Sequence, residues 1–186
     1  MNKGTSQNTK QEEIQKFFFE SPIGVLEIRY SEFQIQAVLF CSDEQSPTQN
    51  QKNLPALLKD CIKQLNEYFT GSRKSFDFSF GQKGTSFQQK VWDELCHIPY
   101  GKTISYLELS KRIGDIKAIR AVGTANGRNN MAIVVPCHRV IGSNGSLIGY
   151  GGELWRKKWL LEHENKHANG VQVLFSDDVK DKSHKS

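Results

Sequence analysis

The stretch from Met131 to Gly142 constrains the fold of this chain most, because a continuous apolar run stops abruptly at a reactive pair. The run MAIVV is typical of a strand that is buried on both faces. Pro136 has no backbone N–H to donate to a neighbouring strand, so a strand must end there. Cys137 and His138 follow immediately. The sequence therefore predicts a short buried strand that leads to a cysteine–histidine pair.

Length and composition indicate a folded globular protein. Its 186 residues, 37% of them hydrophobic, are enough for one large domain or two small ones. The polar segments at 1–13 and 166–186 predict disordered tails, in the second of which VQVLF could add a short strand. There is no signal-like apolar run near the start, and no segment approaches the roughly 18 apolar residues of a membrane helix. We therefore expect a cytoplasmic protein that does not bind membranes.

The cysteines are widely spaced and form no Cys-x-x-Cys pair. They are Cys41, Cys61, Cys96 and Cys137. This spacing argues against a structural zinc site and against a secreted disulfide framework. No histidine precedes His97, so the N-terminal half also lacks a convincing set of metal ligands. We expect free thiols, no metal and no cofactor.

Residues 14–80 have the pattern of a small α+β domain in the order strand, helix, strand. Within Phe17–Phe40 two alternating segments, GVLEIRY and FQIQAVLF, predict strands joined by a tight hairpin at Ser31-Glu32. LPALLKDCIKQLNEYFTG predicts an amphipathic helix that ends at Gly71, and SFDFSF predicts a further strand.

A short linker at 81–85 leads to a mostly helical C-terminal domain at 86–165, so the whole chain is of the α/β (α+β) class. We expect Ser86 to cap the helix FQQKVWDELCHI. SYLELSKRIG and DIKAIRAVGTANG then predict two short helices joined by a tight turn at Gly114. This is the outline of a helix-turn-helix.

The second of these two helices carries small residues around one long side chain, Arg120. The small residues are Ala118, Ala121, Gly123, Ala125 and Gly127. Glycine lowers helix stability, so such a face needs a reason, and small side chains allow close approach of a neighbouring helix or of a nucleic-acid groove. Residues 81–164 hold 12 Lys or Arg against 7 Asp or Glu, and this basic surplus favours the groove.

Cys137 needs a partner if it is to react near neutral pH, because a free thiol with a pKa of about 8.5 is mostly protonated there. His138 is the obvious base, but neighbours on an extended chain point in opposite directions, so a turn or a bridging water is required. The segment KKWLLEHEN offers Glu162 or Glu164 to orient the histidine, and spacing does not choose between them. These residues alone fit a cysteine hydrolase, a redox sensor or, by default, a packed thiol.

Five blocks in order carry a resemblance to a known family: GKTISYLEL, KAIRAVGTANGRN, NNMAIVV, PCHRVIG and GYGGELWRKKWLLEHE. The chain from about Ser86 to Glu164 resembles the O6-alkylguanine-DNA alkyltransferases, also called methylated-DNA–protein-cysteine methyltransferases. The hairpin and helix before it look like that family's smaller N-terminal domain. The resemblance implies a monomer that repairs double-stranded DNA by direct reversal. It would transfer an alkyl group irreversibly and once, from O6 of guanine and also from O4 of thymine, to Cys137.

The resemblance also implies roles for individual residues. Cys137 is the alkyl acceptor, His138 is a base that acts through a water, and Glu164 orients the histidine. Tyr106 donates towards the departing guanine, and Arg120 enters the base stack in place of the extruded nucleotide.

Other residues are implied in DNA and base binding. Asn129 ties the cysteine strand to the helix-turn-helix. The pocket wall, the loop over the base and the groove-facing side of the helix are formed by Val140, Tyr150, Gly151, Gly152, Ala121 and Gly123. Two positions depart from the family pattern. Asn130 replaces a common proline, which would leave the hinge less rigid, and Glu153 replaces a common glycine, which would weaken DNA contact or change which adducts fit.

Two other functions stay open at this point. A non-reacting alkyltransferase-like protein would bind the lesion and recruit other factors, but such relatives replace the acceptor cysteine that is present here as Cys137. A helix-turn-helix transcription regulator with a reactive thiol would form a stable dimer and prefer palindromic DNA.

Overall fold

A computed structural model describes residues 13–41 and 53–170 of the chain. Most of both expected tails, including the VQVLF segment, lies outside these residues. Three antiparallel strands form a sheet in chain order: β1 (Gln15–Ser21), β2 (Gly24–Tyr30) and β3 (Ile35–Phe40). Helix α1 (Ala56–Phe69) buries an apolar face that includes Cys61. Burial of this thiol agrees with its position on the predicted apolar face.

Two details of the N-terminal prediction are wrong. The hairpin is wider than a two-residue turn, since β3 begins only at Ile35 and leaves Phe33 70% exposed. The segment SFDFSF forms no strand and makes a single bridge, between Phe80 and Ile35. Its backbone bonds elsewhere, because the Asp77 N–H donates to the Gln64 side chain of α1 at 3.0 Å.

The C-terminal helices are α2 (Ser86–Cys96), α3 (Tyr106–Arg112), α4 (Ile119–Gly127) and α5 (Leu154–Asn169). The cap of α2 is Thr85 and not Ser86, since Thr85 and Gln88 exchange side-chain and backbone hydrogen bonds at 2.8 and 3.3 Å. Helices α3 and α4 pack together as the predicted helix-turn-helix. Gly114 supplies the turn with a φ of +85°, a conformation that favours glycine. The last helix passes the predicted domain end at 165.

The apolar run before the cysteine is buried as predicted, but it is not a strand. It folds into consecutive turns, with hydrogen bonds from Val134 N to Ala132 O at 2.8 Å and from Val135 N to Met131 O at 2.9 Å. One bridge joins Met131 to Val38 of β3. The backbone polar groups of the run are therefore hydrogen-bonded within the turns and to the N-terminal sheet. The run can be as apolar and buried as a strand without pairing in a β ladder.

Two short elements complete the site region. Residues Cys137–Arg139 form a single 3₁₀ turn, and β5 (Val140–Ile141) then pairs in parallel with β4 (Ile104–Ser105) just before α3. The Trp92 side chain of α2 donates to the Ala125 carbonyl of α4 at 2.9 Å, which holds the helix-turn-helix against the core. Within the described ranges, no helix is long and apolar enough to cross a membrane.

Candidate active site

Asn129 holds the Cys137 thiol in place. Its amide nitrogen lies 3.1 Å from Cys137 Sγ and donates to the Val135 carbonyl at 2.8 Å. Its carbonyl oxygen accepts from Met131 N at 2.9 Å and from the Gln82 side chain at 2.9 Å. One side chain just beyond the end of α4 thus fixes the turn before the cysteine and aims a donor at the sulfur.

The histidine next to the cysteine is paired with a carboxylate. His138 Nε2 and Glu164 Oε1 are 2.9 Å apart, and both side chains are fully buried. An ionised carboxylate only accepts, so Nε2 carries the proton and Nδ1 is left as an acceptor. Among the described residues, Nδ1 has no hydrogen-bond partner although it is buried. The structure therefore pairs His138 with Glu164, the residue that the family resemblance implied, and leaves the basic nitrogen Nδ1 without a partner among the described residues.

Burial and charge determine the protonation of this pair. Burial would raise the pKa of Glu164, but His138 and Arg139 together hold it well below its usual range. Burial lowers the pKa of His138, and Glu164 opposes that change. The pair at neutral pH is thus a carboxylate and a neutral imidazole, which is the form that can accept a proton.

Glu164 also accepts hydrogen bonds from donors that the sequence did not predict. Arg139 forms two 2.9 Å bonds, one to each carboxylate oxygen, and the Gly101 N–H donates to Oε2 at 3.1 Å. Tyr68 of α1 donates its hydroxyl to Oε1 at 2.9 Å. Arg139 lies next to His138 in the PCHRVIG block. That position was a sequence signal that Arg139 could take part in the site. Tyr68, 96 residues from Glu164 in the chain, offered none.

A buried lysine supplies positive charge to the site. Lys157 of α5 is fully buried and donates to the Val140 carbonyl at 2.7 Å and to the Ile148 carbonyl at 2.6 Å. Burial lowers its pKa to about 8, while the neighbouring Cys137 opposes the change. Burial raises the pKa of Cys137, and the Asn129 donor and the Lys157 charge oppose this. A cation near the sulfur favours the thiolate.

Tyr106 connects the cysteine region to the loop that follows it. Its hydroxyl lies 3.1 Å from the Gly149 carbonyl. The buried Asn126 amide of α4 reaches both the Tyr106 hydroxyl and the Cys137 carbonyl at 3.4 Å. Burial raises the pKa of Tyr106 to about 12, so the hydroxyl stays protonated and able to donate at neutral pH.

An open pocket of about 650 Å³ lies between the helix-turn-helix and the loop after β5. Its lining includes Tyr106, Arg120, Gly123, Ile148 and Gly149. Arg120 and Ala121 are exposed on α4, and Gly123 is half-buried there. Cys137 is buried and is not among the lining residues.

The predicted pocket residues that follow the cysteine differ in their burial and in their contacts. Val140 is fully buried, whereas Gly151 is exposed. Tyr150 packs edge-on against Phe40 of β3, with ring centres 6.0 Å apart. A Cβ on Gly152 would lie 2.3 Å from the Phe40 ring, so only glycine fits. The N-terminal sheet therefore supports this loop.

The two departures from the family pattern have structural consequences. The Asn130 N–H donates to the Gln82 side chain at 2.7 Å, a hydrogen bond that proline could not make. This bond restrains the backbone at the position where replacement of proline was expected to leave the hinge less rigid. Glu153 has a φ of +71°, which favours glycine, and its carboxylate accepts from Trp155 Nε1 at 2.6 Å. In the described part of the chain, no group of three or more His, Cys, Asp or Glu side chains could hold a metal ion.

The chain matches known proteins over most of its length. Residues 86–166 match the family model of the 6-O-methylguanine DNA methyltransferase DNA binding domain. Residues 14–81 match the family model of the 6-O-methylguanine DNA methyltransferase ribonuclease-like domain. The methylated-DNA–protein-cysteine methyltransferase of Mycolicibacterium paratuberculosis is 41% identical over 157 residues, 84% of this chain and 95% of the relative. The constitutive enzyme of that name from Bacillus subtilis is 48% identical over 140 residues, 72% and 84% of the two chains.

Solved structures agree with this similarity. The Mycobacterium tuberculosis O6-methylguanine methyltransferase superposes with a TM-score of 0.74 at 41% identity, over 86% of this chain and 97% of that one. M. tuberculosis OGT in complex with DNA gives 0.72 at 44% identity, over 81% and 92%. Fold and site thus define a protein in which a helix-turn-helix adjoins a buried cysteine with a histidine–carboxylate pair. The chain belongs to the 6-O-methylguanine DNA methyltransferase family, which confirms the family prediction.

Proposed function

We propose that this protein repairs alkylated double-stranded DNA by moving the alkyl group from O6 of guanine to Cys137. The observation that carries this most directly is the buried His138–Glu164 pair, with its free Nδ1, on the 3₁₀ turn that holds the cysteine. The relatives named as methylated-DNA–protein-cysteine methyltransferases support the substrate class. The DNA complex of the M. tuberculosis relative supports DNA as the partner.

The geometry of the site supports the following cysteine chemistry. His138 Nδ1 takes the Cys137 proton through a water, and Glu164 stabilises the imidazolium that forms. The sulfur attacks the alkyl carbon, a C–S bond forms and the C–O bond to guanine breaks. Tyr106 donates a hydrogen bond to the departing base, whose negative charge would otherwise be uncompensated. The thioether product has no acyl carbon for water to attack, so each molecule reacts once.

The helix-turn-helix is the part of the protein that would contact DNA. Arg120 is exposed beside the open pocket, on the same helix as the small residues Ala121 and Gly123. Flipping a nucleotide out of the stack costs a few kcal/mol, and a planar cation that fills the gap offsets part of this cost. The loop Tyr150–Gly152 would cover the flipped base, with Val140 behind it and Asn129 holding the cysteine turn.

The proposal extends to features beyond the transfer itself. We infer that O4-alkylthymine is a second substrate, since its alkyl carbon is attached to an equivalent exocyclic oxygen. The protein would act as a monomer, without a cofactor, in the cytoplasm. The presence of the acceptor cysteine favours reaction over the binding-only alternative.

Mass spectrometry of the protein after incubation with a duplex that contains one O6-methylguanine tests the function. We expect one added methyl group per molecule, located on the Cys137 peptide. Cys137→Ala should abolish the adduct, and Cys96→Ala, which removes an exposed thiol, should not. An unmodified wild-type protein, or a methyl group that persists in Cys137→Ala, would overturn the proposal.

A further inference from the structure

We propose that Tyr68 of helix α1 is a positioning residue for alkyl transfer, because its hydroxyl sets how strongly the His138–Glu164 pair accepts the Cys137 proton. This inference rests on the proposed function. It gives the N-terminal part of the chain a role in the chemistry, beyond support of the fold.

Tyr68 and His138 share one acceptor atom. The Tyr68 hydroxyl and His138 Nε2 each lie 2.9 Å from Glu164 Oε1. The Tyr68 backbone carbonyl also accepts from His163 Nε2 at 2.8 Å, one residue before the carboxylate. Tyr68 is fully buried, so α1 holds α5 at two successive residues and does so at the proton relay.

The hydroxyl is not needed for packing. The Tyr68 ring contacts Phe69, Phe76 and Tyr100, with centres 5.5, 5.6 and 6.0 Å away, and a phenylalanine ring would fill the same space. Neutralising Glu164 does not require it either, since Arg139 binds both carboxylate oxygens. What the hydroxyl does is draw electron density from the oxygen that faces His138. A hydrogen bond stabilises the ionised carboxylate, which then becomes a weaker acceptor for the imidazole.

The other charges around the relay stay in place when the hydroxyl is removed. His138 is faced by Glu164, by Arg139 and by Lys157. Glu164 is also close to the phenol of Tyr100 and to His163, and Cys137 faces Lys157. Loss of the Tyr68 hydroxyl leaves Glu164 charged and strengthens its bond to His138. The imidazolium is then favoured, so the proton affinity of His138 rises.

The test is the pH dependence of the single-turnover rate, measured with excess protein and a duplex that contains O6-methylguanine, between about pH 5 and pH 9. The rate rises with pH as His138 loses its proton. In Tyr68→Phe this rising limb should move to higher pH, with rates on the limb lower by roughly threefold to tenfold and a smaller change at the plateau. Tyr100→Phe is the matched control, because its buried hydroxyl has no hydrogen-bond partner among the described residues. Its profile should match the wild type.

Two further measurements separate tuning from packing. In a Glu164→Gln background, Tyr68→Phe should cause no further change in the profile, since it acts through the carboxylate. Site-specific 3-fluorotyrosine at position 68 keeps the ring and strengthens the donor, so the limb should move to lower pH. Unchanged limbs in both position-68 variants, with only the melting temperature altered, would overturn the inference, and so would additive effects with Glu164→Gln. If wild-type protein transfers no methyl group, the proposed function itself fails.

Discussion

The Asn129 amide nitrogen lies 3.1 Å from Cys137 Sγ, so a residue just beyond the end of α4 supplies a donor to the buried thiol. A donor to sulfur favours the thiolate over the thiol. The same side chain bonds the Met131 N–H and the Val135 carbonyl. The proposed DNA-contacting helix α4 and the proposed alkyl acceptor Cys137 are thereby connected through one amide.

Asn129→Asp should keep the bonds to the Met131 N–H and to Gln82 but lose the donor and place a negative charge beside the sulfur. We expect the pKa of Cys137 to rise and its alkylation by iodoacetamide at pH 7 to slow by about tenfold or more. The measurement is the rate of alkylation as a function of pH. Asn130→Ala is the control, because the Asn130 contact to Gln82 is made by its backbone N–H. An equal rate in Asn129→Asp and wild type would rule out the donor role.

Lys157→Met should also raise the pKa of Cys137, because it removes the buried cation near the sulfur. The pKa of Lys157 is lowered to about 8, so its charge is present at pH 7 and is lost as the pH rises past that value. The difference between Lys157→Met and wild type in thiol alkylation should therefore be largest below pH 8 and shrink above it. Lys166→Met, an exposed change on the same helix, should match the wild type. A difference independent of pH would argue for a packing effect alone.

Glu164→Gln should lower the free energy of unfolding by about 3–5 kcal/mol, because Arg139 is left as a buried charge without a carboxylate. The pKa of Glu164 is held below its usual range in the folded protein. Its contribution to stability is thus complete above the unfolded pKa of about 4.3 and is lost as the pH falls towards the folded value. Urea unfolding between about pH 2 and pH 6 should show a weaker acid dependence in Glu164→Gln than in wild type. Glu162→Gln should retain the wild-type slope, and a loss of slope there would contradict the assignment.

Arg120→Ala should impair transfer from duplex DNA much more than transfer from a free base. Arg120 is exposed on α4, and its proposed role is to fill the gap left by the flipped nucleotide. We expect the single-turnover rate with O6-methylguanine duplex to fall by about tenfold or more, while benzyl transfer from free O6-benzylguanine stays near the wild-type rate. Lys63→Ala, an exposed change on α1, serves as the control. Equal losses with both substrates would place Arg120 in the chemistry instead.

Local patterns in the chain predicted much of the architecture and part of the site. Alternation in GVLEIRY, the period of α1 and the two short helices around Gly114 all correspond to observed elements, because each depends on contacts between near neighbours in sequence. The family blocks located Cys137 and His138. The predicted strand MAIVV failed because burial in an apolar core does not require a β ladder when turns satisfy the backbone.

The order of residues alone located Cys137, its adjacent histidine and the helix-turn-helix, since these are encoded within short continuous segments. Spacing left Glu162 and Glu164 open and the family resemblance implied Glu164, which the structure pairs with His138. Only the tertiary structure placed Lys157 in the interior and brought Tyr68 to the carboxylate. The buried carboxylate of Glu164 is stable only with hydrogen-bond donors around it. These donors come from three separate parts of the chain: α1, the turn at Gly101 and the 3₁₀ turn. No local sequence pattern predicts these contacts, because they form only when segments far apart in the chain pack together in one core.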